Sequence, residues 1–222
     1  MPIRQIPKNY RNVTGIATSV KADGSAAFES TLERDFLMVL EFDLNVQQFE
    51  VQPVQIDWSD SEGQPRRYTP DVLVEYRRDI VPAKNFRPML CEVKYREDLR
   101  EEWAEIRPKL KAGFKYAKQH GWRFKIFTEE EIRTPYLDNA RFLLTYMRQE
   151  LNEVHAELLL GRLSEMREAD PNSLGSAVFR DRWARAELLP ALWHLIANRR
   201  IGTDLGLPLT MFSRIWSKDI VR

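Results

Sequence analysis

Asp71 follows Pro70 in "RRYTPDVLVEY" (66–76), and Glu92 stands two residues before Lys94 in "MLCEVKY" (89–95). Two carboxylates and a lysine on neighbouring strands are the parts needed to cut a phosphodiester. A divalent metal neutralises the pentavalent transition state and makes hydroxide at neutral pH. Magnesium takes one or two carboxylates, with water and phosphate completing its shell. The lysine can orient or deprotonate the attacking water, or steady the phosphate charge. As a bare string the pattern is weak, because a Glu/Lys pair on a solvent-facing strand is common and contributes only about a few tenths of a kcal/mol.

A period of two puts Glu92 and Lys94 on one sheet face, roughly 6.5–7 Å apart. The Val93 carbonyl lies between them as a further candidate ligand. Asp71 lies next to Glu92 if the two strands pair. Glu33 is the third candidate carboxylate, but Ser30-Thr31-Leu32-Glu33 also matches a capping box, in which Glu33 serves only its own helix. Glu29, one turn earlier, competes for the same role, and periodicity does not separate them.

These residues need elements to hold them. "STLERDFLMVLEFD" (30–43) predicts a helix whose apolar face is Leu32, Phe36, Leu37, Val39 and Leu40. "VQQFEVQPVQIDW" (46–58) predicts a strand, "SDSEGQP" its turn, and "RRYTPDVLVEY" a second strand. Val72, Val74 and Tyr76 share one face of that strand; Asp71, Leu73 and Glu75 share the other. In "MLCEVKY" the sets are Met89, Cys91, Val93, Tyr95 and Leu90, Glu92, Lys94. A charged helix follows over about 97–120, interrupted or restarted at Pro108 and closed by Gly121. "WRFKIFT" (122–128) is a fourth strand, and Thr128 with Glu131 opens another helix by a capping box. Helix, three strands, helix, strand is the order a metal-dependent nuclease core requires.

From about residue 146 the pattern is helical, with breaks at Gly161 and "DPNSLG" (170–175), an amphipathic stretch over 181–200, and two short strands in "RIGTDLGLPLTMFSRIW". The expected segments are an extended arm (1–27), an α/β domain (28–145) and a smaller helical domain (146–222). The last is either winged-helix-like or a helical cap whose hairpin packs on the first domain.

Composition narrows the classes. The chain has 222 residues, 43% of them apolar, enough for a packed core. Its 34 basic and 33 acidic residues leave a formal net charge of +1, so any DNA must be held by local basic groups, metal or partner subunits. The candidates are Lys8 and Arg11 in the arm and the stripe Lys111, Lys115, Lys118, where a plainly solvated face competes. A single cysteine and three scattered histidines exclude an internal disulfide and a cysteine-rich zinc site. No signal-peptide run or membrane-length apolar stretch stands out, so a soluble, cytoplasmic protein is expected.

"FESTLERDFLMVLEFDLNVQQFEVQPV", "RRYTPDVLV", "CEVKY" and "WRFKIFTEEEI", led by "NVTGIATSVK", resemble the TnsA-type endonuclease subunit of heteromeric (TnsA/TnsB/TnsC) cut-and-paste transposases, over about residues 10–140. The resemblance implies a restriction-endonuclease-like PD-(D/E)xK core, a mixed sheet flanked by helices, with a winged-helix-like C-terminal domain. It implies Mg²⁺-dependent cleavage (Mn²⁺ substituting) of the 5′ strands at transposon ends during DNA transposition. Its implied partners are double-stranded DNA, a TnsB-like DDE-type transposase, and a TnsC-like AAA+ ATPase engaged through the C-terminal domain, in a bacterial cytoplasm at the nucleoid. Carried onto this sequence, the catalytic set is Glu33, Asp71, Glu92 and Lys94, with metal on Asp71, Glu92, Glu33 and the Val93 carbonyl. Gln52 falls in a family-typical stretch. A stand-alone nuclease of the same fold and a catalytically silent adaptor are the competing functions.

Overall fold

The computed structural model describes residues 13–79 and 87–218. They form a mixed α/β protein of two compact units, which part between Arg133 and Thr134.

The first helix, α1 (Thr31–Phe42), begins where the extended Ser30 (φ −142°) accepts from the Glu33 amide at 3.1 Å. It buries Leu32, Phe36, Leu37 and Leu40. It ends at Asp43, whose carboxylate accepts from the Asn45 amide at 2.9 Å and turns the chain into the sheet. The segment before α1 is not an extended arm over 13–27. Strands β1 (Gly15–Ile16) and β2 (Ala27–Phe28) pair antiparallel. Between them the chain is fastened to the C-terminal end of α1, where terminal carbonyls need donors. Lys21 Nζ donates to the Asp43 carbonyl at 2.5 Å and the Leu40 carbonyl at 3.3 Å, while Ser19 and the Val20 amide bond the buried Glu41 carboxylate. Lys8 and Arg11 lie outside the described residues.

The main sheet has the order β3-β6-β7-β8: β3 (Val46–Val51), β6 (Val72–Tyr76), β7 (Met89–Val93) and β8 (Arg123–Phe127). β6 runs antiparallel to both β3 and β7, and β8 runs parallel to β7. The long strands expected over 46–58 and 66–76 each break in two. Their outer halves, β4 (Ile56–Ser59) and β5 (Pro65–Tyr68), form a separate two-stranded ribbon. The break sits where Gln52 adopts a left-handed backbone (φ +51°) ahead of Pro53, and opposite it at Pro70; neither proline can donate to a ladder.

Alternation along the strands builds two cores. Val72, Val74, Met89, Cys91 and Val93 pack under α1 with Phe36 and Leu40. Leu73 and Leu90 face the other way, with Ile56, Tyr68 and Ala117. A helix therefore covers each face, and every residue of β7 is buried, as expected of a central strand enclosed on both sides. The cover on the second face follows a short α2 (Arg96–Glu101) and is α3 (Trp103–Gln119), which buries Ile106, Leu110, Gly113 and Ala117. The interruption falls at Glu102, not at Pro108, which lies within α3; Gly121 (φ +71°) follows its end. Thr128 and Glu131 make the expected capping box at α4 (Glu129–Ile132).

The second unit starts earlier than residue 146, because Pro135 opens α5 (Pro135–Met147), whose apolar face packs on α8 (Arg182–Ala197). The helix α6 (Glu153–Met166) runs through Gly161 without a break. "DPNSLG" likewise begins a helix, α7 (Pro171–Val178), because Asp170 accepts from the Ser173 amide at 2.8 Å and Pro171 sits where no donor is needed. The terminal strands β10 (Ile201–Thr203) and β11 (Ile215–Ser217) pair, and a third strand, β9 (Glu168–Ala169), joins the other edge of β11. Asn139, buried on α5, holds the loop between β10 and β11. Its amide nitrogen donates to the Leu205 and Leu207 carbonyls and its oxygen accepts from the Leu209 amide. Among the described residues no helix is long and apolar enough to cross a membrane.

Candidate active site

Strand pairing sets the site. Val72 lies opposite Cys91 and Leu73 opposite Leu90, so the register carries Asp71 to Glu92. Asp71 completes the ladder through its own amide, which donates to the Cys91 carbonyl at 3.1 Å, and its Oδ2 accepts from the Val93 amide at 2.6 Å. Asp71, Glu92 and Lys94 thus meet as the spacing requires, on the face that α3 covers. They line a cleft of ≈ 370 Å³ with Glu29, Glu33, Gln52, Gln55, Arg67, Tyr68, Thr69 and Lys109.

Glu92 is 2% exposed, and its surroundings treat its two oxygens differently. The Tyr68 hydroxyl donates to Oε2 at 2.6 Å. Oε1 faces two ammonium groups, Lys94 Nζ at 3.7 Å and Lys109 Nζ at 3.9 Å. Burial first, then the Asp71 charge, push Glu92 up to about 7 against the pull of Lys94 and the Tyr68 bond. Glu33 is likewise raised to about 7 by burial and then Asp71. Asp71 is raised by burial, opposed by Lys94 and its Val93 bond. Burial works against the charge on Lys94, yet Asp71, Glu92 and Glu33 together hold its ammonium above the usual range.

Crowded carboxylates of this kind are short of positive charge, the condition a divalent cation relieves. Asp71 and the Oε1 side of Glu92 supply hard oxygens in the number magnesium takes. The Gln52 side chain adds a second sign. Its Nε2 donates to Glu29 Oε1 at 3.0 Å, while its own Oε1 is buried without a hydrogen-bond partner. Such an atom is costly unless something else bonds it. The donor set therefore fits a hydrated divalent metal. It is not a ready-made cage: among the described residues no three acidic, histidine or cysteine side chains converge as one ligand cluster.

Glu33 lines the cleft but is occupied by its helix. Its Oε2 accepts from the Glu29 amide at 2.7 Å, and its Oε1 accepts from the Ser30 hydroxyl at 3.0 Å. Half of the expected capping box is present: Ser30 Oγ accepts from the Glu33 amide, but the Glu33 carboxylate accepts from the Glu29 amide instead of the Ser30 amide, and the same carboxylate borders the site. Lys111, Lys115 and Lys118 are exposed on α3 and do not line the cleft. Residues two apart on a helix face different ways, so Lys109 reaches the site and Lys111 does not. Periodicity alone missed Tyr68 and Lys109. The available signal for Lys109 was Gly113, an isolated glycine one turn later inside a helical pattern, which usually has a packing reason.

Arg133 fixes α1 against the end of β7. Its Nε donates to the buried Asp35 at 3.0 Å, and Nη2 donates to Thr31 Oγ1 at 3.0 Å and to the Tyr95 hydroxyl at 3.2 Å. Tyr95 is next to Lys94, and Thr31 is two residues from Glu33.

No curated protein matches the chain. Two family models do: that of the TnsA-like endonuclease N-terminal domain over residues 43–129, and that of the TnsA endonuclease C-terminal domain over residues 131–205. The first match contains Asp71, Glu92, Lys94 and Lys109 and begins after Glu33; the second begins where the second compact unit does, within a few residues. Carrying both halves in order, the chain belongs to the TnsA-type endonucleases.

Proposed function

We propose that this protein is the metal-dependent DNA endonuclease subunit of a transposase, cutting the 5′, non-transferred strands at transposon ends. The observation that carries this is the meeting of Asp71, Glu92 and Lys94 in one cleft within the stretch that matches the endonuclease family. The fold reading that goes with it is a PD-(D/E)xK core. It is supported by the β3-β6-β7-β8 order, the helix on each face, and the parallel β8 reached through α3. The second unit is read as winged-helix-like, supported by α6 to α8 followed by the β10–β11 hairpin with β9 beside it.

Asp71 and Glu92 would hold Mg²⁺, or Mn²⁺ in its place, with the Val93 carbonyl and Glu33 bordering it. The metal, when bound, supplies an acidified water and charge neutralisation at the phosphate. The chain's own residues do the rest. Lys94 stands beside Glu92 in the same cleft as Asp71, where it is placed to orient the attacking water and steady the phosphate charge. Tyr68 fixes Glu92 so that Oε1 faces the cleft. The water oxygen bonds to phosphorus and the P–O3′ bond breaks. Its proton passes to solvent and the departing O3′ takes one up, leaving a 5′ phosphate and a 3′ hydroxyl.

A formal charge of +1 suits a subunit brought to DNA by others. The partners proposed are a DDE-type transposase, which cuts and joins the 3′ ends, and an AAA+ ATPase engaged through the second unit. The test is excision reconstituted with those partners. Asp71→Ala and Lys94→Ala are each expected to slow 5′-strand cleavage at least about a hundredfold while 3′ joining continues, giving copied-in products. Unchanged 5′ cutting by both variants overturns the proposal.

A further inference from the structure

We propose that Lys109 is a second phosphate-holding residue of the cleft, supplied by α3 and separate from the Glu-x-Lys strand. The proposal rests on the nuclease reading and adds to it where the DNA backbone is gripped.

Lys109 Nζ lies 3.9 Å from Glu92 Oε1, on an oxygen it shares with Lys94. Charge-assisted N–H···O⁻ bonds close at about 2.7–2.9 Å, so Glu92 holds neither ammonium in a tight pair, and Lys109 is available to an entering anion. Its side chain is 32% exposed, against 27% for Lys94, and it lines the cleft. The positioning is built. The ammonium stands 5.8 Å over the ring of Tyr68, whose hydroxyl bonds the other oxygen of the same Glu92. One turn on, Gly113 lets α3 lie directly on that ring. A Cβ there would come within 2.8 Å of Tyr68 Cε1 and 2.9 Å of Phe124 Cε2. Glycine inside a helix costs about 1 kcal/mol relative to alanine, so the close approach offsets a real penalty. Its geometric result is that the stem of Lys109, four residues earlier on the neighbouring turn, reaches the carboxylates.

The cleft needs such a cation. Glu29, Glu33, Asp71 and Glu92 all line it, and a phosphodiester brings a further negative charge. Lys94 shares the cleft with these four carboxylates and offsets only part of their charge. Lys109 comes from the helix side of the cleft, so the two lysines can hold a phosphate from two elements, which Lys94 and strand β7 alone cannot.

The test uses the full chain and the variants Lys109→Met and Asp71→Ala. Methionine keeps an apolar stem over Tyr68 and removes the charge. Binding to a short DNA duplex is read by fluorescence anisotropy with Ca²⁺ replacing Mg²⁺, across a series of potassium chloride concentrations; cleavage is read with Mg²⁺ in excision reconstituted with the partner transposase and ATPase. The expected result is an unchanged melting temperature for Lys109→Met, a salt slope smaller by about one, and cleavage slower by about a hundredfold. A merely structural lysine would not move the salt slope. If the wild type cuts, Asp71→Ala does not, and Lys109→Met keeps the wild-type slope and rate, this proposal is overturned and the nuclease reading stands. If the wild type shows no metal-dependent cutting, or Asp71→Ala cuts equally well, the nuclease reading fails and this proposal with it.

Discussion

The two oxygens of Glu92 are in different hands, Oε2 bonded by the Tyr68 hydroxyl and Oε1 turned to two lysines. Tyr68→Phe should keep the packed ring and lose only that bond, weakening Mg²⁺ binding about tenfold in calorimetry, as for other supports of metal ligands. Glu33 carries two duties that substitution can separate. A glutamine oxygen still accepts from the Glu29 amide, so Glu33→Gln should melt within about 0.5 kcal/mol of wild type. Ser30→Ala, which removes the cap itself, should cost about 1 kcal/mol. Cleavage lost in Glu33→Gln with stability kept assigns the carboxylate to the chemistry; cleavage kept assigns it to the helix. The period of two made Asp71, Glu92 and Lys94 legible in the sequence, since it fixes faces without any knowledge of packing. It also separated Leu73 and Leu90 from Val72 and Cys91 correctly. Tyr68 and Lys109 were not legible, because what they touch is decided by how α3 docks on the sheet.

At the scale of elements, the helix covering the site is placed by its smallest residue. Gly113→Ala improves intrinsic helix propensity, yet it should destabilise the protein by about 1–3 kcal/mol in thermal or denaturant unfolding, because buried rings must move aside. In the second unit the start of α7 depends on the Asp170 carboxylate, which Ser173 holds below the usual carboxylate range through its hydroxyl and its amide. A depressed value means the cap contributes fully above the unfolded value of 3.8 and is lost as pH falls through the lower folded one. Asp170→Ala should cost about 1 kcal/mol at neutral pH, and Asp170→Asn should flatten the acid limb of the stability profile. The order of elements was readable from periodicity and capping residues. The breaks were read less well: alternation continues in the letters across Gln52, and its left-handed backbone, followed by Pro53, ends β3 there. Gly161 misled in the opposite sense, since α6 passes straight through it.

For the molecule as a whole, balanced charge predicts that the isolated chain binds duplex DNA weakly, with a Kd no tighter than about 10⁻⁶ M at physiological salt, the range of non-specific binding. Anisotropy titration checks this, and nanomolar binding by the chain alone would contradict recruitment by partners. The backbone passes from one unit to the next at a single bond, between Arg133 and Thr134. Arg133 is the residue that grips Asp35, Thr31 and Tyr95, the last one position from Lys94. The last residue of the first unit is therefore also a clasp, one side chain joining α1 to the chain just past β7. Those are the elements that carry Glu33, Glu92 and, just beyond the strand, Lys94.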